Sequence, residues 1–192
     1  MNIVNIICAR GGSRRLNKKN IRLINKQPMI NYSIAACKEV FYKNLGTWVS
    51  TEDSEISEIS KKCDVNVIKR PARLSDPKIS KVYPLRHAVL TIENQLQIKI
   101  DLVVSVQANS PQINSQVLER MIKKLLRFDL GEVCTVDNNL NQNAAARIFK
   151  RQNLFDEFYS TKFGLIKFPA IDIHDNNDLK KVREIMTRSC ND

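Results

Sequence analysis

Apolar segments alternate with segments of helical period along the first two thirds of the chain. Short apolar or β-branched runs are typical of buried strands, and apolar positions that recur with the period of a helix are typical of helices. The predicted strands are 3–7, 47–50, 65–68, 102–106 and 133–136. The predicted helices are 28–40, 54–62, 81–96 and 114–128. This order predicts an α/β fold with a doubly wound, mostly parallel sheet between two layers of helices, a three-layer α/β/α architecture.

The pattern changes after residue 136. Residues 137–143 predict an asparagine-rich turn, and residues 144–168 predict only short strands and loop. A last strand is expected at 170–173, followed by capping residues at 175–178 and a closing helix to about Arg188. The sequence has no internal repeat or linker, so we expect a single domain over residues 1–192.

Three polar segments directly follow predicted strands: residues 8–20, 69–80 and 107–111. In doubly wound sheets, ligands bind beyond the carboxyl ends of the strands. We therefore expect these segments to meet in one crevice.

The chain is strongly basic, with 31 Lys and Arg against 20 Asp and Glu and a formal net charge of +11. Within residues 10–26 there are seven basic side chains and no acid, and these are Arg10, Arg14, Arg15, Lys18, Lys19, Arg22 and Lys26. A basic chain is typical of proteins that bind nucleic acid or anionic membranes. Concentration of the charge in one short segment, beside two glycines, instead favours a defined phosphate group.

Composition argues against several other classes of protein. Aromatic residues make up only 6% of the chain and form no run on which bases could stack, so we expect no nucleic-acid partner. No apolar run approaches the roughly 20 residues of a spanning helix, and residues 1–7 predict a strand and not a signal peptide. The five cysteines are scattered without a CxxC pair, which favours free thiols in the reducing cytoplasm.

The loop after the first predicted strand has the chemistry of a phosphate site. Glycines at 11 and 12 permit positive φ and close approach of the backbone, so that successive N–H groups can form an anion nest. Arginine adds forked donors, and Lys19 adds a mobile point charge. The loop is neither a P-loop nor a GxGxxG motif. From these residues alone, phosphate binding and a solvated basic loop both remain open.

The stretch ARGGSRRLNKKN, residues 9–20, resembles the signature of the cytidylyltransferases that activate acidic sugars. That family includes the acylneuraminate (CMP-N-acetylneuraminate) synthetases and their relatives for 3-deoxy-octulosonate and other nonulosonates. The similarity continues in order through INKQPMINYSI, STEDSEISEISKKCDVNVIKRPARLS, VSVQANSP and AIDIHDNNDL. The resemblance implies a Rossmann-like nucleotidyltransferase fold. It also implies transfer of CMP from CTP to an acidic sugar with release of pyrophosphate, dependence on Mg²⁺, and a place in the synthesis of surface polysaccharide.

The resemblance also implies roles for individual residues. Arg10 and Lys19 would be catalytic and stabilise the phosphates in the transition state, Gln107 would contact the sugar, and Asp172 would bind Mg²⁺. The nucleotide-binding residues would be Ala9, Arg10, Gly11, Gly12, Ser13, Arg14, Lys19, Asn20, Arg70 and Ser80. The positions of Arg15, Lys18 and Arg22 have no counterpart, and we expect these side chains to be solvated.

The sequence departs from the family pattern at two acidic positions. His174 replaces the second aspartate of the terminal motif, and Asn109 stands where the octulosonate branch has an aspartate. Neutral imidazole binds Mg²⁺ less well than carboxylate does. We therefore expect one carboxylate, with water and phosphate oxygens, to hold the ion.

A third departure is the length of residues 137–168, which are shorter than the family segment that closes the sugar site and mediates dimerisation. A homodimer and the identity of the acceptor therefore stay open. This segment contains four basic residues, Arg147, Lys150, Arg151 and Lys162. They would either bind a substrate carboxylate or, as we favour, be surface charges.

Two alternatives to the CMP-transferring enzyme remain at this point. One is a catalytically impaired nucleotide-binding paralogue that acts as a regulatory or partner subunit. The other is a sister transferase that uses another base or a non-sugar acceptor.

Overall fold

The computed structural model describes residues 1–13, 15–157 and 161–188. In these residues the strands are β1 (Ile3–Cys8), β2 (Leu23–Ile24), β3 (Gln27–Pro28), β4 (Thr47–Thr51), β5 (Asn66–Lys69), β6 (Leu102–Gln107), β7 (Glu132–Val136), β8 (Gln142–Lys150) and β9 (Phe163–Lys167). The helices are α1 (Met29–Lys38), α2 (Ser54–Lys62), α3 (Val82–Leu96), α4 (Ser115–Arg127), α5 (Arg151–Phe155) and α6 (Asn176–Arg188). Short 3₁₀ turns occur at Lys19–Ile21 and Ala72–Ser75.

The main sheet has the strand order β5-β4-β1-β6-β8-β7-β9. Strands β5, β4, β1 and β6 are parallel to one another, and β8 runs antiparallel to both of its neighbours. Alternate residues of β1 face opposite sides of the sheet: Ile7 joins the core under α1, α2 and α4, and Ile6 joins the core under α3. This arrangement confirms the predicted doubly wound α/β/α fold. No helix in the described ranges is both long enough and apolar enough to cross a bilayer.

The predicted helix starts are confirmed at two caps. The Asp53 carboxylate accepts a hydrogen bond from the Ile56 N–H at 2.9 Å, and the Asn114 side chain accepts one from the Val117 N–H at 3.0 Å. Each side chain satisfies one of the amide groups left unpaired at a helix start. The five strands predicted before residue 137 are all present, with ends shifted by at most one residue.

Two predictions for the last third of the chain are wrong. Residues 142–150 form a nine-residue strand inside the main sheet, where short strands and loop were expected. This strand contains three consecutive alanines, which have low β-propensity, and pairing with both neighbours overrides that preference. Residues 170–173 form no strand: the last strand is β9, and the apolar Ile173 packs beneath α6.

The loop after β1 packs against the start of α2. Gly11 and Gly12 do not use the positive φ that glycine permits, and among the described residues Gly46 is the glycine with positive φ. Gly11 is needed for close approach: a Cβ there would lie 2.1 Å from Oδ2 of Asp53 and 2.9 Å from its Cβ. The Asp53 side chain is held by its capping bond, so it has little room to move away.

A pair of glycine substitutions tests this packing. We expect Gly11→Ala to lower stability by about 1–3 kcal/mol, a fall in Tm of roughly 2–12 °C, because the added methyl overlaps Asp53. A Cβ at Gly12 would meet no atom within 4 Å, so Gly12→Ala should unfold at or slightly above the wild-type temperature. Thermal unfolding followed by circular dichroism compares the two, and equal Tm values would contradict the packing described here.

Candidate active site

A cavity of about 770 Å³ opens beyond the carboxyl ends of β1 and β6. The three segments expected to converge, 8–20, 69–80 and 107–111, all contribute to its wall, so that prediction is confirmed. The start of α3, strand β8 and residues near 172 complete the wall. The lining includes Cys8, Arg10, Ser13, Arg15, Lys19, Asn20, Arg70, Gln107, Asn109, Arg147, Asp172 and His174.

Lys19 lies at the centre of a group of cations. Its Nζ donates a hydrogen bond to the carbonyl of Ile173 at 2.7 Å, which holds the ammonium group at the wall of the cavity. Burial lowers the pKa of Lys19, and nearby Lys81, Arg10 and Arg15 lower it further, whereas Asp172 opposes the shift. Like charges held this close in a partly buried site attract an anion.

The basic segment is divided into two groups by the 3₁₀ turn. Arg10 and Lys19 face the cavity, and buried Asn20 fixes the loop by donating to the Arg10 carbonyl at 2.9 Å. Lys18 points to the other side and pairs with Glu55 at 2.5 Å. Lys18 and Arg22 are both exposed, as predicted. Arg15 is exposed as predicted, and it also lines the cavity.

Arg70, which lines the cavity, forms an ion pair with partly buried Glu52. Arg70 is only 4% exposed, and its Nη2 donates to Oε2 of Glu52 at 2.6 Å and to the Ala9 carbonyl at 3.0 Å. Burial favours a higher pKa for Glu52, but hydrogen bonds from Ser75, Arg70 and the backbone outweigh it and lower the pKa below its ordinary value. Sequence reasoning singled out Arg70 but missed Glu52, whose position in the stretch Thr51-Glu52-Asp53-Ser54 gives no sign of a contact with the first loop.

The remaining predicted nucleotide-binding residues have different positions. The Gly11 N–H is already bonded to Oε1 of Glu52 at 2.9 Å, whereas Ser13 lines the cavity. Ser80 is exposed, and its hydroxyl accepts a hydrogen bond from the Val82 N–H at 3.4 Å. Arg14 lies outside the described residues.

Asp172 is part of a chain of side-chain hydrogen bonds. One carboxylate oxygen accepts from the Asn109 amide, and the other lies 3.1 Å from Nε2 of His174. On the far side of the ring, Nδ1 of His174 lies 3.2 Å from Arg15. Because a guanidinium can only donate, Nδ1 of His174 is the acceptor of the bond from Arg15. His174, flagged only as a departure, thus joins Arg15 to Asp172.

The donor set around Asp172 is small for a metal site. The described part of the chain contains no group of three or more His, Cys, Asp and Glu that could hold an ion. Magnesium is often bound by one or two carboxylates together with substrate phosphates and water. The single carboxylate of Asp172, facing the cavity, fits an ion of that kind and not one held by protein ligands alone.

Strand β8 supplies the opposite wall. Ser105 pairs with Arg147 in the ladder between β6 and β8, so Arg147 lies beside the strand that ends at Gln107. The Arg147 Nε donates to Glu132 at 2.6 Å, and its guanidinium lies 4.8 Å from the ring centre of Phe149. Because Arg147 lines the cavity, the expectation that it is a surface charge is wrong.

The other three basic residues of this region pair with acidic side chains. Arg151 binds Glu93 at 2.7 Å, and Lys150 and Lys162 both pair with Asp129. Lys162 is exposed, as expected of a surface charge, whereas Lys150 and Arg151 are partly buried in their ion pairs and do not line the cavity.

Comparison with known proteins matches this architecture to one family. Residues 4–168 match the model of the cytidylyltransferase family. The chain is 36% identical over 107 residues to a CMP-N,N'-diacetyllegionaminic acid synthase of Campylobacter jejuni, covering 55% of this chain and 45% of that protein. It is 32% identical over 125 residues to a pseudaminic acid cytidylyltransferase of the same species, covering 64% and 52%. The chain spans about half the length of these curated relatives.

Solved structures share the fold at low sequence identity. A CMP:2-keto-3-deoxy-manno-octonic acid synthetase in complex with CTP superposes with a TM-score of 0.77 at 15% identity, covering 98% of this chain and all of that one. A cytidylyltransferase from Leptospira borgpetersenii gives 0.75 at 17% identity, covering 98% and 87%. The family match extends from β1 to the end of β9 and includes the whole main sheet with the loops that carry the basic cavity, so the chain belongs to the cytidylyltransferase family.

Proposed function

We propose that this protein transfers CMP from CTP to an acidic sugar of the nonulosonate type and releases pyrophosphate. The observation that carries the proposal is the cation group of Arg10, Lys19 and Lys81 in a cavity at the carboxyl ends of parallel strands. The similar relatives are named for transfer to legionaminic, pseudaminic and N-acylneuraminic acids, which are acidic sugars. A positive cavity suits both a triphosphate and an acidic acceptor.

In this proposal Lys19 and Arg10 are the catalytic residues. The sugar hydroxyl loses its proton to water as its oxygen bonds to the α-phosphorus, the bond from the α-phosphorus to the bridging oxygen breaks, and pyrophosphate leaves with the electron pair. Negative charge on the phosphate oxygens is stabilised by cations that are already in place. The bond from Lys19 to the Ile173 carbonyl supports this role, because it fixes the ammonium before substrate arrives.

The nucleotide end of the site is proposed to lie along the loop after β1. Gly12 and Ser13 would approach the phosphates, and Asn20 would hold the nucleoside. Arg70 and Ala9 would act chiefly by fixing this loop, because they are bonded to each other. The Gly11 N–H would support the loop and not the phosphate, since it is bonded to Glu52.

Asp172 is proposed to hold Mg²⁺ jointly with the substrate phosphates. The bound ion would supply charge neutralisation on the phosphate oxygens. Asn109 orients the carboxylate through a hydrogen bond to one oxygen, and His174 lies within ion-pair distance of the other.

Gln107 and Arg147 are proposed to bind the acceptor sugar. Both line the same end of the cavity, and a guanidinium matches a carboxylate through two parallel hydrogen bonds.

The free thiols of Cys8, Cys37, Cys63 and Cys134 support a location in the cytoplasm.

The proposed reaction can be measured as pyrophosphate release. We expect release with CTP, Mg²⁺ and a nonulosonate from a panel of such acids, and little with UTP, GTP or ATP. Thermal shift with each nucleotide gives an independent measure of binding, with about 2.7 kcal/mol of added stability at a hundredfold excess over Kd. Clear CTP binding without turnover of any acidic acceptor would instead indicate the impaired paralogue, and absence of CTP binding would refute the proposal.

Adjacent lysines provide a matched test of the catalytic cation. Lys19→Met should lower kcat by about 10²–10³-fold, the usual cost of removing one group that stabilises transition-state charge. Lys18→Met should change kcat by less than about twofold, because Lys18 is on the surface and pairs with Glu55. Steady-state kinetics of the two variants decide the point. Equal effects would show that general charge, and not position, determines the rate.

A further inference from the structure

Glu52 is an acidic side chain behind the wall of a cavity that is lined by cations. It is not among the described residues that line the cavity, yet it contacts the loop that carries Arg10. We propose that Glu52 is a positioning residue: it holds the loop after β1 so that Arg10 faces the triphosphate. The inference rests on the proposed function and adds a residue to its phosphate site.

The first support is the set of donors that Glu52 collects. Oε1 accepts from the Gly11 N–H at 2.9 Å, and Oε2 accepts from Arg70 and from the Ser75 hydroxyl, each at 2.6 Å. Gly11 follows β1, Glu52 follows β4, and Ser75 lies in the turn after β5. These strands are neighbours in the sheet, so one carboxylate joins three adjacent strand exits.

The second support is how closely the bonds surround Arg10. Arg70 donates to the carbonyl of Ala9, and Glu52 accepts from the amide of Gly11, so the ion pair holds the residues on both sides of Arg10. The Arg10 carbonyl is held as well, by Asn20. The remaining freedom is that of the Arg10 side chain, whose Nη1 reaches the Ser75 carbonyl at 3.4 Å.

The third supporting observation is that hydrogen bonds fix the backbone on either side of Glu52. Asp53, the next residue, caps α2, and its N–H donates to the Thr51 hydroxyl at 3.1 Å. The Thr51 carbonyl accepts from the Arg70 N–H at 2.9 Å. Glu52 therefore projects from a fixed corner between β4 and α2.

The chemistry requires a carboxylate at this position. An ionised carboxylate is an acceptor at both oxygens, and all three partners here are donors. Glutamine has nearly the same shape but presents one NH₂ group, which would face either the Gly11 amide or the Arg70 guanidinium. One of these buried donors would lose its partner.

The decisive experiment compares Glu52→Gln with wild type and with Glu58→Gln, an exposed glutamate on α2. Isothermal titration calorimetry measures Kd for CTP and for inorganic tripolyphosphate, and kinetics give KM for CTP and for the acceptor. For Glu52→Gln we expect both Kd values and the KM for CTP to rise about tenfold, the equivalent of one hydrogen bond to a charged group. The KM for the acceptor should stay within about twofold, and Glu58→Gln should match wild type throughout.

Amide exchange gives a readout that does not depend on activity. In Glu52→Gln, exchange at Gly11 should be faster than in wild type, whereas amides in the centre of β6 should exchange at the wild-type rate. If Glu52→Gln does not fold, Glu52→Asp replaces it, because aspartate keeps the charge beside Arg70 and shortens the reach to Gly11. For Glu52→Asp we expect the same rise in the Kd values, in the KM for CTP and in the exchange rate at Gly11, each smaller than in Glu52→Gln.

The possible failures are distinguishable. If wild type binds CTP and a folded Glu52 variant binds CTP and tripolyphosphate equally well, the positioning role is refuted and the proposed function stands. A rise in the acceptor KM as large as that in the CTP KM would also refute it. If wild type binds neither ligand, the proposed function fails and this inference fails with it.

Discussion

The cavity depends on one ion pair, between Glu52 and Arg70. The Arg70 side chain is only 3% exposed, and leaving such a charge without its partner costs roughly 3–5 kcal/mol. The same two side chains bind the carbonyl of Ala9 and the amide of Gly11. The free energy that keeps the charges paired therefore also keeps the first loop in place. The Glu52–Arg70 pair, which has no net charge, thus fixes the start of the basic segment at residues 10–26.

The cations at the cavity are arranged at an energetic cost. Burial lowers the pKa of Lys19, Asp172 opposes that shift, and the neighbouring cations Lys81, Arg10 and Arg15 add to it. A bound triphosphate would relieve the repulsion, so ligand binding and stability are expected to be coupled. Nε2 of His174 lies 3.1 Å from the Asp172 carboxylate and adds no second negative charge beside it.

Strand β8 shows where local patterns stop being informative. Its alanines give neither alternation nor β-propensity, and the strand exists because β6 and β7 both pair with it. That pairing brings Arg147 to the cavity, although its sequence context indicated a surface residue. The converse holds at 170–173, where a strand was expected and none forms, and Ile171 and Ile173 instead pack beneath α6. In both places long-range packing decides the structure.

The sequence by itself determined the five leading strands, the starts of the helices near residues 54 and 114, and the concentration of charge near Gly11. Each of these depends on neighbours within a few residues, which is the range over which hydrophobic period and capping chemistry act. Only the tertiary structure decided that Glu52 binds Gly11, 41 residues away, and that Arg15 binds His174, 159 residues away. These contacts follow from strand order and register. That Lys19 faces the cavity and Lys18 the surface follows from the packing of the 3₁₀ turn at Lys19–Ile21. No local pattern encodes them, because the partners become neighbours only when the sheet is assembled.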